Sequence, residues 1–169
     1  MIAHTIKSLM NIKKIQVFIG LAALFFGVAV YIIRSPGRVY FVPKYFSYLR
    51  LPDDIVNVVR IVGGNLPDFI HPFAFILITA GLISLDNRKT QFFICLGWFL
   101  LESFFELGQH FKEAYLLFIP SWFDNIPILD HTKNYFLNGT FDVLDMLSFF
   151  AGTVAAFCVL WITSKRRME

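Results

Sequence analysis

Long apolar runs separated by short polar stretches dominate the chain. Four of them, 15–33, 69–85, 91–107 and 141–163, reach the roughly 17–25 residues that a helix needs to cross a bilayer. Lipid offers no water to unpaired backbone groups, so each run is predicted to be a helix. The strands of a membrane barrel would be shorter and would alternate apolar with polar residues. The predicted fold class is all-α, a four-helix transmembrane bundle forming a single integral membrane domain over 1–169. The first run follows Lys7, Lys13 and Lys14, as the apolar core of a signal peptide would. It is too long for that role and no small-x-small site follows it, so it is expected to be retained.

Between the spans lie two long aromatic loops. The first, 35–68, carries Tyr40, Phe41, Tyr45, Phe46 and Tyr48, residue types that favour the headgroup zone. Pro52-Asp53 then opens an expected short helix with Ile55, Val58, Val59 and Val62 on one face, ended by Gly63-Gly64, although the β-branched content also suits a strand. The second loop, 111–140, carries Tyr115, Phe118, Trp122, Phe123, Tyr135 and Phe136. Both loops are expected to lie on the membrane surface, either as plain anchors or as a rim around a site.

Composition sharpens the class. The chain is 57% hydrophobic and 16% charged, against about 45–50% and about 25% in an average soluble domain. Mean hydropathy is +0.63. The net charge of +3 comes from bases that flank apolar runs, which reads as topology and not as a nucleic-acid footprint. Four spans put both termini and the 86–90 turn on one side, with Lys7, Lys13, Lys14, Arg88, Lys89, Lys165, Arg166 and Arg167. The two long loops hold fewer bases per residue. The termini are therefore expected in the cytoplasm and the aromatic, partly helical loops outside it. Cys95 and Cys158 each sit inside an apolar run, as packing cysteines and not as a disulfide framework.

Ionisable groups within a span cost about 2.5–3.5 kcal/mol each at mid-membrane, so they tend to face a bundle interior or a wet cavity. Here they gather towards one leaflet. His71 starts the second span, Glu102, Glu106, Gln109 and His110 occupy the end of the third, and Asp142 and Asp145 start the fourth. At about 100° per residue, Glu102, Glu106 and Gln109 fall in a narrow arc, with His110 just beside it. Two acids one turn apart repel if both ionise, so at least one is expected to be protonated or paired. Each group also has a structural explanation. His71, beside Pro72, could bond a backbone group. Thr140 is the expected cap of the last span, with Asp142 in its first turn, where the helix dipole favours an anion. On that helix Asp145 and Gly152 share a face, and the glycine permits close approach. No His-Glu-x-x-His run marks a metal site. Ser103 and Ser148 lack a nucleophile-elbow motif. No metal or other cofactor is expected.

Three segments resemble VanZ-like membrane proteins. Leu66-Pro67-Asp68-Phe69-Ile70-His71 resembles their histidine-bearing helix start, and Glu106-Leu107-Gly108-Gln109 their Glu-x-x-Gln element. Gly139-Thr140-Phe141-Asp142-Val143-Leu144-Asp145, with Gly152 beyond it, resembles their Gly-x-Phe-Asp and Asp-to-Gly helix. The resemblance covers roughly 65–160. It departs at Phe149, where the family commonly carries Asn. It implies a bacterial cytoplasmic-membrane protein of the cell envelope, of a family whose namesake is associated with low-level resistance to the glycopeptide teicoplanin. It singles out His71, Glu106, Gln109, Asp142 and Asp145.

The expected function is an envelope protein whose outward-facing polar pocket binds a membrane lipid or lipid-linked glycan headgroup, more a binding protein than an enzyme. The residues expected to line it are His71, Glu102, Glu106, Gln109, His110, Asp142 and Asp145. Two other readings remain open: an intramembrane enzyme acting on a lipid headgroup, with Glu106 or Asp145 as base and His71 as acid, and a structural subunit with a membrane-protein partner. No nucleic-acid partner is expected.

Overall fold

The computed structural model describes residues 13–34, 52, 54, 56, 59, 63–84, 87–127 and 129–165. The aromatic cluster 40–48 and most of the helix expected after Pro52-Asp53 lie outside them. Asp54, Val56 and Val59 of that helix are described and helical. The described residues are all-α, without strands, and four of the helices are long and apolar enough to cross a membrane. These are α1 (Lys14–Arg34), α2 (Leu66–Ile83), α3 (Arg88–His110) and α6 (Val143–Lys165). Between α3 and α6 the chain forms two short helices, α4 (Lys112–Phe118) and α5 (Thr132–Asn138), linked by 3-10 turns at Ser121–Asn125 and Leu129–His131. The fold is a multi-pass membrane bundle.

Each span extends past or stops short of its apolar run for a local reason. α2 begins at Leu66, three residues early, because Pro67 suits a first turn, where no N–H is needed. It stops at Ile83, where Ser84 adopts a left-handed conformation at φ 59° and its N–H returns to the Ala80 carbonyl. α3 begins at Arg88 because the Asn87 side chain accepts the Lys89 N–H at 2.9 Å. α6 begins at Val143, and its cap is Asp142 rather than the expected Thr140: the Asp142 carboxylate accepts the Leu144 N–H at 2.8 Å.

α2 is the central helix. It packs against α1, α6 and α3, while α1 makes little contact with α6. The core between α2, α3 and α6 is Ile76, Leu77, Ala80, Cys95, Ala156 and Leu160. At Gly152 a Cβ would run into the Phe69 carbonyl oxygen, so only glycine lets α6 come this close to α2. Large apolar side chains such as Phe18, Phe25 and Phe93 point away from the bundle, where lipid would meet them.

One end of the bundle is held by buried polar contacts. The Gln16 amide donates to the Thr163 hydroxyl at 2.8 Å, and Gln91 donates to the Ser164 hydroxyl at 2.8 Å. The Lys13 N–H donates to the Gly81 carbonyl at 3.0 Å. These contacts join α1 and α3 to the end of α6, and the start of α1 to α2. Arg88 lies over the Trp161 ring, 4.4 Å from its centre. Because hydrogen bonds between membrane helices contribute modestly, Thr163→Val should lower stability by about 0.6–1.7 kcal/mol. Thermal unfolding of the purified protein in detergent would measure it, and an unchanged midpoint would mean that the Gln16 contact does not hold the end together.

Candidate functional site

The opposite end carries the polar side chains of α2, α3, α5 and α6. Glu106 is buried near the end of α3. Its Oε1 accepts the Asp142 backbone N–H at 2.7 Å, and its Oε2 accepts an amide hydrogen of Gln109 at 3.2 Å. Among the described residues no lysine or arginine pairs with it. The compensation comes from the start of α6, whose unpaired N–H groups and dipole favour negative charge. Asp142 serves the same helix start through its own carboxylate. The structural reading of Asp142 therefore accounts for its side chain, and its backbone ties α6 to α3.

Gln109 extends the network. Its amide nitrogen also donates to the Tyr135 hydroxyl at 2.7 Å, joining α5 to α3. A Cβ at Gly139 would collide with the Gln109 side chain, so the chain passes over this amide because residue 139 has no side chain. Asp145, in the first turn of α6, accepts from the Asn65 amide at 2.7 Å. Asp68 on α2 adds a further carboxyl group close to Asp145. Asn65 thus brings a carboxamide to Asp145 from the start of α2, whereas Phe149, one turn further along α6, is buried as core.

His71 and Glu102 form a second group. The imidazole Nδ1 lies 2.7 Å from a Glu102 carboxylate oxygen, with the His71 side chain 53% exposed and that of Glu102 13%. The His71 partner is therefore a side chain of α3 and not a backbone group. Both residues line a cavity of about 430 Å³ between α2, α3 and the second loop. Phe75, Trp98, Leu101 and Phe105 form its apolar wall, and His131, Thr132 and Tyr135 close it from the loop. Phe75 and Trp98 stack at 4.8 Å, while the Trp98 N–H donates to Thr79 at 3.1 Å.

The expected residues thus form two groups and not one pocket. His71 and Glu102 face the cavity. Glu106, Gln109 and Asp145 form a separate network, which the exposed Asp142 joins through its backbone N–H. Tyr135 connects the two, since it lines the cavity and accepts from Gln109. His110 stands apart. It is exposed, with its ring edge-on to Phe111 and Phe141, because it sits one step past Gln109 around the helix. Asn65, Asp68 and Tyr135 belong to the polar network although the sequence pattern did not single them out as site residues. In sequence Asn65 and Asp68 both fall at the end of the first loop, just before the span bearing His71, and Asp68 lies within the His71 motif. Among the described residues no three of His, Cys, Asp and Glu are grouped as metal ligands.

Comparison with family models, with curated proteins and with solved structures finds no match to the chain.

Desolvation of the Tyr135 hydroxyl pushes its phenol above the ordinary tyrosine value. The Gln109 hydrogen bond pulls it back, and the Glu106 and Glu102 charges add to the rise. The fold therefore favours the protonated phenol. Its contribution is complete below the ordinary value of about 10 and declines as pH rises from there through the raised folded value. The stability advantage of the wild type over Tyr135→Phe should shrink in that alkaline window. Melting temperatures of both proteins across pH measure it, and a constant gap would show that the phenol does not titrate differently in the fold.

Proposed function

We propose that this is a bacterial cytoplasmic-membrane protein with both termini in the cytoplasm, and that its extracytoplasmic cavity binds the headgroup of a membrane lipid or lipid-linked glycan. The observation that carries the reading is the cavity itself. It combines an aromatic wall with the His71–Glu102 pair and the Tyr135 hydroxyl near the end of the spans. Most ligand sites join an apolar surface to a few converging polar groups in this way. Because the Tyr135 oxygen accepts from Gln109, its own proton is available for donation. Glu102 can accept from a hydroxyl or ammonium group. Phe75, Trp98 and Phe105 supply aromatic surface against which a sugar or a cation could rest.

The orientation rests on charge. Lys13, Lys14, Arg88 and Lys89 lie at one end, and the acids of the site lie at the other. The motif-level resemblance to VanZ-like proteins supports the same envelope setting. A reporter fused after Glu169 should report cytoplasm and one inserted within 119–127 should report outside. The reverse labelling would overturn the orientation.

Native mass spectrometry of the purified protein should find a co-purifying lipid on the wild type and much less on Glu102→Gln. Equal occupancy would remove the cavity from consideration. The 2.7 Å His71–Glu102 contact also supports a second reading. A carboxylate that fixes an imidazole orients it as a general base. In an enzyme of this kind the retained lipid would change mass on incubation with wild type and not with His71→Gln.

A further inference from the structure

A second hollow lies on the far side of His71. Its wall on α1 is Leu24, Gly27, Val28 and Tyr31, and its wall on α2 is Pro67, Ile70 and His71. Leu24, Gly27, Val28 and Tyr31 follow the i, i+3, i+4, i+7 spacing of one helical face, and Pro67, Ile70 and His71 do the same on α2. The two stripes form a groove about 10 Å long at a rise of about 1.5 Å per residue, with a volume of about 200 Å³. Gly27 gives it depth. Its missing side chain leaves Ile70 at the floor, where a Cβ on residue 27 would come within 3.0 Å of the Ile70 methyl. Apart from His71, every described residue lining the groove is apolar or a tyrosine.

The groove and the polar cavity occupy the same half of the spans and share one residue, His71. Two hollows that share His71, one apolar and one with polar groups, match an amphiphile better than a free headgroup. We propose that the ligand is a single lipid whose chain lies in the α1–α2 groove and whose hydroxyl- or ammonium-bearing head crosses α2 at His71 to reach Glu102. This inference rests on the headgroup reading of the cavity and adds the seat of the chain. A chain moving from lipid into the groove exchanges one apolar surrounding for another, so it gains only packing. The groove therefore fixes where the chain leaves the head, and the head supplies the polar contacts.

The test uses the full chain in detergent, titrated with phosphatidylethanolamine and with a glucosyl diacylglycerol, and with their deacylated counterparts glycerophosphoethanolamine and glucosylglycerol. Val28→Trp fills the groove from a side chain that is 52% exposed, so it does not disturb the helix contacts. Val28→Phe is a milder version, and elution as a single species controls for folding. The proposal expects wild type to bind at least one lipid about tenfold or more tightly than its deacylated counterpart. It also expects Val28→Trp and Glu102→Gln each to weaken lipid binding about tenfold, equivalent to about 1.4 kcal/mol, with Val28→Phe between. If Val28→Trp and Val28→Phe bind as wild type while Glu102→Gln weakens, the chain seat is wrong and the headgroup reading survives. If only the Val28 variants weaken, the headgroup reading fails, and the link through His71 fails with it. Equal binding of the lipids and their deacylated counterparts overturns the amphiphile. Absence of binding by either lipid overturns both.

Discussion

A polar side chain carried into hydrocarbon must find its partner inside the protein, because lipid supplies none. That constraint organises the bundle. Its middle is apolar, built on Ile76, Leu77, Ala80 and Leu160. Its polar groups are gathered near the two ends. At one end Gln16, Gln91, Thr163 and Ser164 meet. At the other, Glu106, Gln109, Tyr135, Asp145 and Asn65 do. Each hydrogen bond adds little energy, but together they fix how far each helix can slide past its neighbours. Apolar packing alone sets that register loosely, since a shifted apolar stripe still meets apolar neighbours.

The start of α6 concentrates three carboxyl groups, from Asp142, Asp145 and Glu106. This is the position on a helix where negative charge is least costly. Glu106 reaches it from another helix, through the Asp142 N–H. The acidic stripe of α3 therefore divides by depth and direction. Glu106 turns inward to a helix terminus, while Glu102, one turn earlier, turns to an imidazole and a cavity. A single narrow arc on one helix thus serves two environments, because α6 and α2 flank it on different sides.

The four spans were legible because their apolar runs are long, and the direction of their polar ends followed from the order of the spans. Their limits were less so. A run of apolar residues stops at the first polar one, but Asn87 and Pro67 carry helices through polar sequence. The pairing of His71 with Glu102 could be expected from their shared depth. The separation of Glu106 from Glu102 could not, since both lie within one arc and only the positions of α2 and α6 decide between them. Tyr135 was hidden among aromatics that suit the membrane surface, and nothing local distinguishes the one whose hydroxyl meets Gln109. Asn65 follows two glycines and reads as a turn. Gln16, Gln91 and Thr163 sit within or beside apolar runs. Their only sequence signal is that amide and hydroxyl groups recur at matching depths on different spans.

The segment between α3 and α6 leaves the bundle at Phe111 and returns at Asp142, whose N–H is fastened back to Glu106. Lys112 and Gln109 add ties to α5, through the Leu137 carbonyl and Tyr135. It carries Leu117 and Phe118, the most exposed of the large apolar side chains among the described residues, at 86% and 82%. Since both feet of this excursion are pinned near one point, its crown can grow or shrink without moving them. Lengthening a flexible loop twofold costs only about 0.6 kcal/mol. Related chains could thus carry crowns of very different size on an unchanged foundation, making this stretch the natural place for the protein to diversify what it meets at the surface.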